Sequence, residues 1–362
     1  MKTVPGTMKA VVLKGHGGFD QLEYRDDVPV PLPTSGEVLI RVGAAGVNNT
    51  DINTRTAWYS KRVTEGTPSD GGPAAPAHAT AADASWTGGA LVFPRIQGTD
   101  VCGQIVAVGD GVDPRRIGER VLVEPGLREP GGPLAGARYL GSECDGGFAE
   151  YTTIVAVNAH RVASPLSDVE LASFPCAYSA AENMLTRAEL RPSETVLITG
   201  ASGGVGSAAV QLARRRNAHV VAITSASKAE RVRSLGADRT LSRDDGLLDA
   251  VGPGVVDVVV DVVGGPAWPE LLDVLKRGGR YSVAGAIAGP MVTLDLRTLY
   301  LKDLRLLGCT ALAPDVFKNL VGYIERGEIR PVVASTYPLS EIVQAQREFL
   351  GKQFTGKIVL IP

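Results

Sequence analysis

Apolar and polar residues alternate along this chain in two regimes. From Met8 to Val47, and again from Pro94 to Val123, short apolar runs of strand length are separated by turns marked with glycine and proline. Pro29, Pro31 and Pro33 bar a helix from the first stretch, and Gly36 turns the chain into the strand Glu37-Val38-Leu39-Ile40-Arg41-Val42. A β-rich domain is predicted there. Asp168 to Leu190 reads as helical and leads into the second regime. From Thr195 onward strand and helix alternate: TVLI, a helix with Val205, Ala208, Ala209 and Leu212 at helical spacing, then HVVAIT, KAERVRSLGA, RTLS, VVDVVVDVVGG, WPELLDVLKRGG, RYSVAGA and LRLLGCT. Such alternation specifies an α/β fold built on a doubly wound parallel sheet. Residues 311–362 return to mixed character, with helices around Val316 to Arg326 and Glu341 to Leu350 and strands at VVASTYPL and GKIVLIP.

Three stretches fall outside both regimes. Asn48 to Tyr59 is a polar loop running into a short helix with an aromatic end, the kind of surface that carries substrate contacts. Asp51 and Arg55 within it read as a solvated ion pair. Ser60 to Gly89 is dominated by Gly, Pro, Ala, Ser and Thr, with too little apolar area to offset its ordering entropy. It is expected to be a mobile excursion, either a lid or a solvated insert, with His78 in water. Pro125 to Gly147 is a second loop, ending in the strand of DGGFAEYTTIV.

The first chemistry comes from GASGGVG, between TVLI and its helix. Gly203 and Gly204 let the backbone approach a pyrophosphate, Gly206 lets the helix pack closely on the strand, and the helix N-terminus offers free N–H groups and a partial positive charge. A glycine-rich loop is weak evidence alone; this one has the strand before it and the helix after it that the mechanism needs. A dinucleotide site is predicted.

Composition narrows the partners. Over 362 residues the net charge is −2 and the Lys and Arg residues are scattered, which gives no nucleic-acid or membrane-surface footprint and leaves a small-molecule substrate as the default. The N-terminus lacks the pattern of a secretory leader, and no apolar run approaches the ~18 residues of a membrane span, so a soluble, cytoplasmic protein is expected. Cys102, Cys144, Cys176 and Cys309 are far apart without CxxC spacing, which points to reduced thiols.

The order of MKAVVL, GEVLIRVGAAGVNNTD, QGTDVCGQIVAVG, GERV, GGFAEY, TVLITGASGGVGSAAVQLA, GGRYSVAG and FTGKIVL resembles the medium-chain dehydrogenase/reductase superfamily over nearly the whole chain. The resemblance implies a β-rich, GroES-like catalytic domain over 1–165 with 60–89 as a flexible insert. A Rossmann domain over 166–310 and a return of 311–362 to the first domain follow, with the active site in the cleft between. Zinc members hold their metal with a Cys, a His and a second Cys. Here Asn48 stands for the first Cys and Thr99 for the His, and only Cys176 falls where the last ligand belongs. Neutral oxygens are poor zinc ligands beside thiolate and imidazole. The zinc-free quinone oxidoreductase and enoyl reductase branches, which share GVN and the GAxGGVG loop, are the better likeness, and imply hydride delivery to an activated C=C, a quinone or a related carbonyl. A zinc-type alcohol dehydrogenase with altered ligands and a redox-inactive NADPH-binding protein stay open as alternatives.

An enzyme that prefers NAD ends its second strand with an acid that meets the ribose hydroxyls. After VVAIT this chain has Ser225, Ala226, Ser227 and Lys228, which suit a 2′-phosphate, so NADPH is expected. The resemblance adds Ser202, Gly203, Gly204, Val205, Thr224, Val263 and Gly285 to the cofactor-binding residues. It gives Tyr59 the part of proton donor to the substrate and Asn48 that of orienting the nicotinamide end of the cofactor. The apolar terminal strand at Leu304 to Gly308 predicts a homodimer joined across an open sheet edge.

Overall fold

The computed structural model describes residues 4–72, 82–127 and 138–362. Parallel strands covered by helices on both faces have no wet side, and their sequences are apolar throughout. Val196, Leu197, Ile198, Val258, Val259 and Val260 are accordingly closed to solvent. They belong to a six-stranded parallel sheet in the order Arg239–Leu241, His219–Ile223, Thr195–Ile198, Val256–Asp261, Leu275–Val283, Arg305–Gly308. The chain starts in the middle, winds to one edge, then crosses back to fill the other half. The order reverses between Thr195–Ile198 and Val256–Asp261, and this switch point leaves a crevice beyond the strand ends.

The helical stretch ahead of this sheet is broken, not continuous: Asp168–Leu171 stops, and Pro175–Arg187 restarts with proline in its first turn, where the missing N–H costs nothing. The second helix carries the interface between domains. Ala177, Tyr178, Ala181 and Met184 share one apolar core with Val196 and Ile198 of the parallel sheet and with Ala44, Cys102 and Leu122 of the β-rich domain.

The β-rich domain is organised on the 11-residue strand Glu37–Val47. Cys102–Val108, Tyr151–Val155 and Lys357–Ile361 all pair with it antiparallel, and Val333–Pro338 lies outside the last of these. Register places Ile358 opposite Val47 and Leu360 opposite Ala45, which brings Lys357 to the end of the strand, beside Asn48.

The described parts of the excursion, residues 60–72 and 82–89, pack in places. Val63 and Ala84 bury with Ala57 against Trp58 as a small core of their own. Thr67 N–H donates to Ile287 O of the parallel-sheet domain at 3.1 Å. A Cβ at Gly66 would stand 2.5 Å from Ile287 O, a close backbone approach that composition does not register. His78 lies outside the described residues.

Candidate active site

The strand Thr195–Ile198 ends in a turn whose Gly200 has φ +57°, and the helix Gly204–Arg215 begins directly after it, with Gly203 as its cap. A Cβ at Gly206 would stand 2.2 Å from Gly200 O, so only glycine lets the helix sit this close to the strand. First-turn N–H groups of a helix have no partner within it, and here they open at the switch point. Ser202, Gly203, Gly204 and Val205 follow the first strand, Thr224 the second, Val263 the fourth and Gly285 the fifth, so the expected cofactor residues gather at the same ends of the sheet. Asp261 holds the Val263 turn: its carboxylate accepts from Val263 N–H at 2.9 Å, from Thr199 Oγ1 at 2.5 Å and from Tyr281 OH at 2.6 Å. The Thr224 hydroxyl is buried without a partner among the described residues. A cradle only glycine permits and an orphaned hydroxyl at its rim fit a dinucleotide.

At the far end Ser225 precedes a turn carrying Lys228, whose Nζ donates to Lys352 O at 2.6 Å. Lys352 is exposed as a residue, with its ammonium over the Phe349 ring, 3.8 Å from the centroid. Burial of the ammonium, with repulsion from Lys228 and Lys357, brings its pKa down to about 7. Lys352 has no local sequence signal; only the fold brings it to Lys228.

Between the domains lies a closed polar network. Lys357 Nζ donates to Val47 O at 2.9 Å, to Asn48 Oδ1 and to Asp100 Oδ2 at 2.7 Å. Asn48 Nδ2 donates to Asp100 Oδ2 at 2.8 Å and to Thr99 Oγ1 at 3.1 Å. Asp100 Oδ1 takes the Cys176 N–H at 2.5 Å, at the start of the interdomain helix. The Asn48 amide, expected at the nicotinamide, therefore has its oxygen and its nitrogen engaged within the protein.

Asp51 and Arg55 do not form the solvated pair that their spacing suggests. Asp51 is buried and reaches back to the Asn48 N–H at 2.7 Å; burial first, and Asp100 beyond it, drives its pKa up to about 7. Arg55 is fully buried and donates to Gln346 Oε1 at 3.0 Å and to Gly17 O and Gly71 O, each at 2.8 Å. Tyr59 stands on the next turn of chain, its hydroxyl donating to Thr50 Oγ1 at 2.9 Å, and burial pushes its pKa up to about 12. Cys176, also pushed up to about 12 by burial first and Asp100 second, lies within electrostatic reach of Tyr59 and 3.5 Å from Tyr139 OH.

The sequence profile of the alcohol dehydrogenase GroES-like domain matches residues 34–164, and that of the zinc-binding dehydrogenases matches 204–326. Acryloyl-coenzyme A reductase of Metallosphaera sedula is 31% identical over 98% of this chain and 99% of its own. The chain belongs to the medium-chain dehydrogenase/reductase superfamily. It is an oxidoreductase, with the GroES-like and Rossmann-type domains of that superfamily. Human quinone oxidoreductase is 25% identical over the full length of both chains. The NADPH-dependent alkenal/one oxidoreductase of Arabidopsis thaliana chloroplasts is 28% identical over 99% of this chain and 81% of its own. Among solved structures, a Sinorhizobium meliloti protein assigned as an alcohol dehydrogenase superposes with a TM-score of 0.88 at 48% identity, over 100% of this chain and 98% of that one.

Against this medium-chain dehydrogenase/reductase frame, several cleft residues escape sequence reasoning. Trp86, Tyr139, Ala180, Ala311 and Leu312 line the opening between the two domains, beside Cys176, which the sequence marks. Trp86 and Tyr139 are lone aromatics in loops rich in Gly, Pro and Ala, and that contrast is the one signal that marks them. Lys357 has a signal too: it is a charge at the head of an otherwise apolar strand. Among the described residues no helix is long and apolar enough to cross a membrane.

Proposed function

We propose that this chain is a zinc-independent, NADPH-dependent reductase that delivers hydride to an activated C=C or a quinone. The observation that carries the reading is the Lys357 ammonium, held by Val47 O, Asn48 Oδ1 and Asp100 Oδ2. Zinc members of the superfamily keep metal ligands at the places of Asn48, Thr99 and Cys176. In this chain a fixed monocation already binds the oxygens there, and an amide, a hydroxyl and a single thiol make a poor zinc set. Without a Lewis acid to ionise an alcohol, a conjugated acceptor that takes hydride directly is the better substrate. The printed activities of the acryloyl-coenzyme A, alkenal and quinone reductases point the same way.

NADPH would supply the hydride; the chain's own groups manage the rest. Ser225, Lys228 and Lys352 suit a 2′-phosphate, and Thr224 offers a free hydroxyl beside them. Tyr59 keeps its proton at neutral pH and can give it to the reduced acceptor, with Thr50 fixing the phenol. Cys176 stays a thiol, and so stays inert toward the electrophilic alkenes that would alkylate a thiolate. Asn48 acts on the nicotinamide end through the network it centres. A homodimer completes the reading: Arg305–Gly308 is an open edge of the parallel sheet, and Met291, Leu296, Tyr300, Leu301 and Leu306 stand exposed on it or just before it.

The test is NADPH oxidation with a panel of enones and quinones, together with elemental analysis of protein purified without chelator. Turnover with far less than one zinc per chain is expected. Stoichiometric zinc would restore alcohol oxidation, and tight NADPH binding without consumption would leave a binding protein. Light scattering should give a dimer at micromolar concentration, and a monomer there removes the edge pairing.

A further inference from the structure

Trp86 comes from the excursion at 60–89 and Tyr139 from the loop ahead of the Tyr151–Val155 strand, yet their rings stack, with centroids 4.4 Å apart and planes within 20°. One side chain aligns them. Glu143 Oε1 accepts from Thr87 N–H at 2.9 Å and from Thr87 Oγ1 at 2.7 Å, while its Oε2 accepts from Tyr139 N–H at 2.9 Å. Trp86 N–H adds a bond to Ser142 Oγ at 3.2 Å, and Ala84 and Ser85 are buried beneath the turn. The rings are therefore clamped from behind, not draped over the opening. Both line the cleft, whose other side is Ser179 and Ala180 of the interdomain helix and Thr310, Ala311 and Leu312 after the last parallel strand. The aromatic wall and this mixed lining, in which Ser179 and Thr310 stand beside Ala180, Ala311 and Leu312, bound the opening.

We propose that the stacked Trp86 and Tyr139 rings are the platform for a flat, conjugated acceptor, so that the substrate is a free quinone or aryl enone rather than an acyl-coenzyme A thioester. The inference rests on the reductase reading above and narrows it. Stacking attraction grows with the overlapped area of two flat π-systems. A quinone or an aryl enone offers a whole ring to the platform, whereas an acryloyl thioester offers a three-carbon acyl group and takes its affinity from a flexible, polyanionic handle. A rigid aromatic ledge adds little for the second class and much for the first. Composition gave no reason to expect a fixed wall from this excursion, and the platform is a use for it.

The experiment is steady-state kinetics of the full chain with saturating NADPH and four acceptors: 1,4-naphthoquinone, 4-phenyl-3-buten-2-one, methyl vinyl ketone and crotonyl-coenzyme A. Wild type should favour the two ring-bearing acceptors in kcat/KM. In Trp86→Leu the preference for 4-phenyl-3-buten-2-one over methyl vinyl ketone should fall about tenfold, the scale of one lost aromatic contact. Trp86→Phe, which keeps a ring, should restore most of it, and this separates the platform from a general folding defect. Glu143→Gln, which loosens the clamp while sparing the rings, should move the preference the same way as Trp86→Leu. A wild-type preference for crotonyl-coenzyme A, or an unchanged preference in Trp86→Leu, overturns the platform and leaves the reductase reading standing. No NADPH consumption with any of the four overturns that reading and the platform with it.

Discussion

Lys357 Nζ stands 2.7 Å from Asp100 Oδ2, and both side chains are closed to solvent, at 3% and 0% exposure. Taking two charges out of water costs several kcal/mol per ion, repaid only when the remaining donors and acceptors are met. Here they are: the ammonium has Val47 O and Asn48 Oδ1 besides the carboxylate, and the carboxylate has Cys176 N–H and Asn48 Nδ2 besides the ammonium.

Removing one partner leaves the other buried and uncompensated. Lys357→Met should therefore destabilise the protein by about 3–5 kcal/mol, and Lys357→Met with Asp100→Asn by clearly less than the sum of the single changes. Urea unfolding of the four proteins reads this coupling. Additive single effects would mean that the two charges do not depend on each other.

Cofactor choice should depend on pH through Lys352. Its ammonium, with a pKa of about 7, is charged below neutrality and can meet a 2′-phosphate; above that the proton is lost and so is the attraction. The ratio of NADPH to NADH affinity should fall as pH rises from about 6 to about 8.5, and Lys352→Met should flatten the profile. Lys228→Glu should weaken NADPH by roughly 2–4 kcal/mol at any pH in that range. Tighter binding of NADH than NADPH by wild type at pH 6 would end the assignment.

Asp51 makes a stability prediction with a definite sign. Its pKa rises from 3.8 to about 7 on folding, so between those values the folded chain holds a proton that the unfolded chain has released. Stability from this group is complete below the lower value and is lost as pH rises toward the upper one. Wild type should lose more Tm than Asp51→Asn between pH 4.5 and 7, even though the variant sacrifices one of the acceptors that cap the Asn48 N–H and Gly98 N–H. Parallel Tm profiles for the two proteins would place the titration elsewhere.

The chemical step should separate Tyr59 from Asn48. Tyr59→Phe should lower kcat on an enone by ~10²-fold with NADPH affinity almost unchanged, the usual loss for a general acid. Thr50→Ala, which frees the phenol, should cost less. Asn48→Ala breaks the network around Lys357 and should slow hydride transfer, seen in single turnovers with deuterated NADPH. Full enone activity in Tyr59→Phe would leave water or the cofactor ribose as proton source.

Local pattern carries the nucleotide domain because each piece of evidence is local. A strand buried on both faces must be apolar, and the glycines of a phosphate turn lie within one short run, as Gly200 to Gly206 do. The site between the domains has no such compactness. Lys357 and Asn48 are bonded across 309 residues of chain, and neither neighbourhood announces the other. Asp51 and Arg55 mislead for the opposite reason: charges four apart on a short helix resemble a surface pair, and only the wrapping of Gly17, Gly71 and Gln346 around Arg55 makes it an interior residue. Trp86 and Tyr139 meet through Glu143, a contact between two loops that have no periodicity to read.

The Lys357–Ile361 strand lies inside its sheet, between Glu37–Val47 and Val333–Pro338, and Gly356 N–H also fastens the glycine turn through Ser202 O at 2.9 Å. Ribosomes deliver a chain from its N-terminus, so the parallel sheet, whose final strand closes at Gly308, can assemble while Lys357 has yet to be translated. A nascent polypeptide at that stage owns a cofactor cradle but has neither the cation that Asp100 requires nor the strand that steadies Asn48. Translation order thereby separates two parts of the site: the turn at Gly200 to Gly206 can fold before Lys357 exists, and Asp100 and Asn48 gain their partner only afterwards.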